Sequence, residues 1–352
     1  MFHKYLKLVH IFPEVETWNS EKIIQCLIEL FDKCELTATD IDLIRNEQKA
    51  LKYLLSLPKV EQRSKQWFDL RENRLTASDL AQALNKGKFG TRSDLLAKKA
   101  FPSAKPLDML PPLKWGVMFE DMGMRCYQEK KDGVFIYEFG LIPHPTIECF
   151  GASPDGITDM GIMVEMKCPY RRKFDGKVPE QYFLQIQGQL ATCGLTQCDY
   201  VECYMVVLDN MVDYELCIQE GDSHGIIIEY AVGNDFIYDY SPPSFSVKQC
   251  QDWANQRFDD TINATDRRFI KFTPWKLRQM FIERVQFDPN VWGECVPRIY
   301  NFWNEVVERR AQGPPEIQPK KVTKSLTMTL DYKKKEKDKP KYKFIIDSDE
   351  EN

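Results

Sequence analysis

Residues 151–170 read GASPDGITDMGIMVEMKCPY, and this stretch decides how the rest of the chain is understood. Small and turn-forming residues lead to Asp155, and Met160-Gly161 supplies the expected turn of a hairpin. On the return strand Glu165 and Lys167 lie two residues apart and share one face, while Val164, Met166 and Cys168 share the other. The apolar face implies a strand packed into a core, so two charges on its opposite face require a reason. Metal chemistry is one. Asp155 and Glu165 offer the oxygen donors that suit Mg²⁺, the Met166 backbone carbonyl is a further candidate ligand, and Lys167 can orient an attacking water or help to deprotonate it. The plainer reading makes Asp155 a turn residue before Gly156, and Glu165 with Lys167 an exposed pair.

Working outward, KWGVMFEDMGMRCYQEKK (114–131) predicts a helix of about 15 residues, with Phe119, Met122 and Cys126 at helical spacing. Before it, SKQWFDLRENRLTASDLAQALN (64–85) predicts a helix, a break near Arg74 and Leu75, and a new helix capped by Thr76 or Ser78. After the hairpin, a helix is expected from Glu180 to Cys193, stopped by Gly194, and then a β-prone run, CDYVECYMVVLD (198–209). The order of helix, strands, helix and strand predicts an α/β core. Further on, NDFIYDYSPPSFSVKQCQDWANQRF (234–258) reads as a loop leading to a helix, and KLRQMFIERVQ (276–286) and VPRIYNFWNEVVERRAQ (296–312) as late helices. Residues 20–57 carry two helical patterns, the second capped by Thr39 or Asp40. The expected organisation is a helical extension over 1–60, a main domain over 61–312, and a disordered charged tail over 313–352 that passes from KKKEKDKPKYK to DSDEEN.

With 352 residues and 43% hydrophobic content, the chain can fill a sizeable core. A net charge of -5 gives no global basic signature, so nucleic-acid binding would need a local patch; Arg171, Arg172 and Lys173, directly after the charged strand, are one candidate. The 11 cysteines include no CxxC pair and are odd in number, which predicts reduced thiols in the cytoplasm or nucleus. The start, MFHKYLKLVHIFPEVE, lacks the features of a signal peptide, and no apolar run suffices to span a bilayer, so a soluble protein is expected.

The order PD, nine residues, then ExK resembles the PD-(D/E)XK nuclease signature. Four stretches together make the likeness more specific: WFDLRENRLTASDL (67–80), GVMFEDMGMR (116–125), SPDGI with VEMKCPY (153–170), and YFLQIQGQLATCG (182–194) resemble, in the same order, motifs of the lambda exonuclease and YqaJ-type viral recombinase family. The resemblance implies a restriction-endonuclease-like core, a mixed central β-sheet flanked by helices. It also implies a role for Glu120 as the helix glutamate completing the metal shell of Asp155 and Glu165, for Lys167 as the catalytic lysine, and for Gln187 as the helix glutamine beside it, with Gln185 and Gln189 as its competitors. Arg71, Ser78 and Ser153 match positions where the family binds a terminal 5′ phosphate, which a guanidinium and hydroxyls suit.

As to function, the resemblance implies a virus-encoded, Mg²⁺-dependent deoxyribonuclease (with Mn²⁺ as a substitute) that digests duplex DNA from free 5′ ends and leaves 3′ single-stranded tails. Such a protein would act beside a single-strand annealing protein, and a homotrimeric ring around DNA is one solution that the resemblance implies. Two alternatives stay open: an endonuclease or alkaline-nuclease-like enzyme on structured DNA or RNA, and an inactive module that binds DNA ends. In the tail, Ser348 stands among acids as a candidate for phosphorylation or a docking segment.

Overall fold

The computed structural model describes residues 38–60, 64–102, 111–131, 133–171, 175–233, 235–262 and 266–314. The first helical pattern of residues 20–57, the charged tail with Ser348, and Arg172 and Lys173 lie outside the described residues. The chain forms α1 (Ala38–Ser56), α2 (Lys65–Glu72), β1 (Leu75–Thr76), α3 (Ala77–Ala83), α4 (Arg92–Ala100), α5 (Pro111–Lys130), β2 (Ile136–Tyr137), β3 (Ile142–Pro143), β4 (Phe150–Ala152), β5 (Gly156–Thr158), β6 (Met163–Lys167), α6 (Glu180–Cys193) and β7 (Gln197–Val207). Then come α7 (Met211–Cys217), β8 (His224–Val232), β9 (Asp235–Tyr240), α8 (Val247–Ile262), β10 (Arg268–Gln286) and α9 (Pro289–Gln312).

A seven-stranded sheet runs β2-β5-β6-β7-β10-β8-β9, and a smaller one runs β1-β4-β3. Within the large sheet β6 and β7 are parallel and every other pair is antiparallel. A parallel pair needs a long crossover, and α6 is that crossover. The sheet is buried on both faces. Against one face lies α5, where Phe119 and Met122 meet Val164, Met166, Val201 and Ile227. Against the other lies α6, where Ile186 and Leu190 meet Ile157, Met163 and Tyr200. Leu51 and Leu54 of α1 join this second cluster, so α1 packs onto the core rather than standing ahead of it. Among the described residues no helix is long and apolar enough to cross a membrane.

Local signals set several helix ends, although the Thr76 side chain makes no capping bond and donates to Asp79 instead. The Ser64 side chain accepts the Trp67 N–H to start α2, α3 begins after Thr76, and Gly194 ends α6 in the left-handed conformation. Two expectations fail. KLRQMFIERVQ, expected as a helix, is the second half of β10, paired with β7, while the first half of β10 pairs with β8. Leu277, Met280, Phe281 and Arg284 do have helical spacing, because a bulge between Leu277 and Gln279 breaks the strand's alternation. Pairing with β7 then overrides the local pattern. Likewise DFIYDY, expected in a loop, forms the edge strand β9 through its pairing with β8.

Candidate active site

The hairpin turns at Gly161, whose φ of 77° puts it in the region open to glycine. Strand β5 begins at Gly156, opposite Val164, so β6 runs past the end of its partner. There a side chain replaces the missing backbone: Asp155 Oδ2 accepts the Met166 N–H at 2.8 Å. This bond ties Asp155 to the strand that carries Glu165 and Lys167.

Glu165 is fully buried beneath α6. Its Oε1 accepts from Lys167 Nζ and from Gln185 Nε2 at 2.6 Å, and its Oε2 accepts from Gln189 Nε2 at 2.7 Å. Gln185 and Gln189 stand one helical turn apart and therefore point the same way. Gln187 points elsewhere: its Nε2 donates to the Gln286 carbonyl at 3.0 Å and its Oε1 accepts the Asp288 N–H at 2.7 Å, tying α6 to the junction of β10 and α9. Of the three glutamines considered from sequence, the structure thus brings the two competitors to the site and directs Gln187 away from it. Their i, i+4 spacing was the available signal. Gly188 permits the close fit of α6, since a Cβ there would come within 2.9 Å of the Phe150 ring and 3.3 Å of Ala77 and Leu80.

Glu120 arrives from the other face, on α5. A Cβ at Gly123, one turn along, would lie 2.7 Å from Met166 Sδ and 3.1 Å from Cys168 Sγ, so a side chain there would have to displace Met166 for the helix to settle this close to β6. The Cys168 thiol completes the contact by donating to the Phe119 carbonyl at 3.3 Å. Glu120 and Asp155 open together into a cleft of about 960 Å³. Lys167 points toward α6, with its Nζ 5.1 Å from the centre of the Tyr182 ring.

The electrostatics fit a cation. Burial raises the Asp155 pKa well above the usual carboxylate range, and Glu165 and Glu120 raise it further, against the lowering effect of Lys167 and of the Met166 N–H. Burial works to lower the Lys167 pKa, but Glu165 and Asp155 outweigh it and hold the ammonium above its ordinary value. Two carboxylates thus crowd one acid, with Lys167 as the ammonium that offsets them. Among the described residues no three His, Cys, Asp or Glu side chains form a ready-made cage. Mg²⁺ does not require one, because it is usually held by one or two carboxylates and keeps its waters for phosphates. Asp155 and Glu120, which share the cleft, carry carboxylates of that kind, and Glu165 Oε2 still has an acceptor position beyond Gln189.

Two of the residues expected around a terminal phosphate follow a pair of neighbouring strands. Parallel pairing of Thr76 with Gly151 sends Ser78 and Ser153 out of β1 and β4 together, and Ser153 precedes Asp155 by two residues. Arg71 lies over the Trp67 ring at 4.4 Å, and burial lowers its pKa while Asp79 raises it. Sequence reading missed the support beneath: Lys99 Nζ lies 3.0 Å from Asp79 and donates to the carbonyls of Arg71 at 3.1 Å and Arg74 at 2.9 Å. Arg171 is exposed and lies against the ring of Tyr170.

Residues 66–196 match the model of the YqaJ-like viral recombinase domain. An uncharacterized protein of Acanthamoeba polyphaga mimivirus is 22% identical over 303 residues, covering 73% of this chain and 54% of the viral protein. This chain therefore spans about half the length of the curated relative it matches. Among solved structures, an alkaline exonuclease from Laribacter hongkongensis is 21% identical with a TM-score of 0.44, over 71% of this chain and 95% of that one. A phage-related exonuclease from Haemophilus somnus is 9% identical with a TM-score of 0.37, over 68% of this chain and 96% of that one. The matched residues hold the hairpin, the helix of Glu120 and the glutamine helix, and over them this chain is similar to the YqaJ-like viral recombinase domain.

Proposed function

We propose that this protein is a Mg²⁺-dependent deoxyribonuclease that hydrolyses duplex DNA from 5′ ends and leaves 3′ single-stranded tails. The observation that carries the reading is Glu165, a carboxylate at 0% exposure held by one ammonium and two amides beside the half-buried Asp155. Buried charge is costly unless it is paired, and such groups cluster at functional sites; a phosphodiester with its cation is the ligand that this charge set complements. Asp155 and Glu120 would hold the metal, with Glu165 beside them. When bound, Mg²⁺ supplies charge neutralisation at the phosphate and acidifies a water.

The chain's own residues do the rest. Lys167, fixed by Glu165, donates toward water or phosphate and offsets the developing negative charge. Gln185 and Gln189 keep Glu165 from rotating, and so keep Lys167 in line. Arg71, Ser78 and Ser153 would bind a terminal phosphate and favour end digestion over internal cutting. A single-strand annealing protein as partner, a ring-shaped homotrimer, and a viral setting in the cytoplasm or nucleus of a host belong to the same proposal.

The test is incubation of the full chain with Mg²⁺ and linear duplexes bearing 5′-phosphate or 5′-hydroxyl ends, beside closed circles and the Lys167→Ala variant. Loss of linear DNA alone, faster with the phosphate and abolished in the variant, is expected. Cutting of circles would replace the exonuclease reading by an endonuclease, and inertness in both Mg²⁺ and Mn²⁺ would leave a binding module.

A further inference from the structure

The cleft that holds Glu120 and Asp155 continues beyond them to the edge strand β9, outside the matched domain. Phe236, Tyr238 and Tyr240 all line it. Alternate residues of a strand share a face, and they stand about 6.6 Å apart. The centres of the Tyr238 and Tyr240 rings are 6.4 Å apart. That spacing is roughly twice the 3.4 Å repeat of bases along a nucleic-acid strand, so it suits one base per ring on a strand drawn out of its helix. Cations back the rings: Lys114 Nζ lies 4.0 Å from the centre of Phe236 and the Arg125 guanidinium 5.6 Å from that of Tyr240. Lys59 also lines the cleft, brought there by the segment after α1, and Gly140 leaves the room in which the Val60 carbonyl sits.

From this row of rings we propose that β9 forms a stacking platform for an unpaired nucleic-acid strand, extending the candidate active site along the cleft. The inference rests on the nuclease reading for what happens at Asp155, but the platform itself would bind without cleavage. Lys59 and Arg125 would contact phosphates, while Asp121 and Glu138 in the same cleft limit how much of the affinity can be electrostatic. Stacking then carries the binding, because every base presents a face to an aromatic ring whatever its sequence. A paired duplex has no free base faces to offer.

Fluorescence anisotropy of the full chain in EDTA, with labelled oligothymidylate, oligouridylate and a blunt hairpin duplex, tests the platform. Phe236 is 40% exposed, so Phe236→Ala leaves the fold in place. The expected results are tighter binding of single strands than of the hairpin, a loss of about tenfold or more in Phe236→Ala, and recovery in Phe236→Trp. Two phosphate contacts give a shallow salt dependence, with a log–log slope near about −1.4. The deoxy and ribo arms show which strand is taken. Equal affinity of wild type and Phe236→Ala, or preference for the hairpin, overturns the platform, even where linear DNA is digested. Conversely, Phe236-dependent binding in a protein that cleaves nothing upholds the platform and removes the nuclease reading.

Discussion

Gln189 donates its side-chain amide to Glu165 Oε2 at 2.7 Å, joining the crossover helix α6 to the buried strand β6 at the centre of the candidate site. With Gln185 on the other oxygen, the carboxylate that fixes Lys167 is itself fixed. Outer partners of this kind govern orientation, and their loss typically lowers activity by about 10–100-fold in metal sites.

Gln185→Ala and Gln189→Ala should therefore each reduce the initial rate on linear duplex by about 10–100-fold. Gln187→Ala should instead destabilise the fold by about 1–3 kcal/mol, leaving the Asp288 N–H without its acceptor, while the folded fraction keeps its rate. Rates and urea denaturation, measured together, separate the two. A larger rate loss at Gln187 than at its neighbours would restore Gln187 as the glutamine of the site.

Helix α1 bears on the same hairpin from outside the matched domain. Glu47 Oε1 accepts from the Thr196 N–H at 2.9 Å and from its hydroxyl, and Gln48 Nε2 donates to the Asp159 carbonyl at 2.7 Å. Burial raises the Glu47 pKa, against the lowering effect of the Thr196 bonds and Arg284. A carboxyl whose folded pKa lies above its unfolded value, near about 4.3, holds its contribution below that value and loses it as pH rises through the folded pKa. Glu47→Gln, which keeps the acceptor without the charge, should match wild type in acid and become the more stable protein toward neutrality. Thermal midpoints across that range check this, and a pH-independent difference would refute it.

The Asp79–Lys99 pair is buried and also holds the end of α2 through the Arg71 and Arg74 carbonyls. Asp79→Ala strands a buried ammonium and should cost about 3–5 kcal/mol. Lys99→Met, which fills the space without charge, should cost less. Equal losses in denaturant titrations would mean that packing alone matters at this position.

Arg71→Lys keeps the charge but loses the planar fork. If Arg71 binds the terminal phosphate, this variant should slow digestion of 5′-phosphorylated ends by about tenfold and bring their rate close to that of 5′-hydroxyl ends. An unchanged preference for the phosphate would take Arg71 out of the pocket.

The local elements were legible in the residues themselves. Turn chemistry at Gly161 and the left-handed stop at Gly194 act within a few residues, so the hairpin and α6 could be placed from sequence nearly to the residue, with the break between α2 and α3 near Arg74 and Leu75. So could the sidedness of β6, with Val164 and Met166 toward one layer and Glu165 and Lys167 toward the other. Periodicity tells which residues share a face, but not which element that face will meet. Tertiary packing therefore decided that Gln185 and Gln189, rather than Gln187, look onto Glu165. It also turned Leu277–Gln286 from a helical pattern into a strand, because pairing with β7 is non-local and a bulge hides it from the local alternation. In the same way, only the fold carried Lys59 and the rings of β9, far apart in the chain, to one cleft with Asp155.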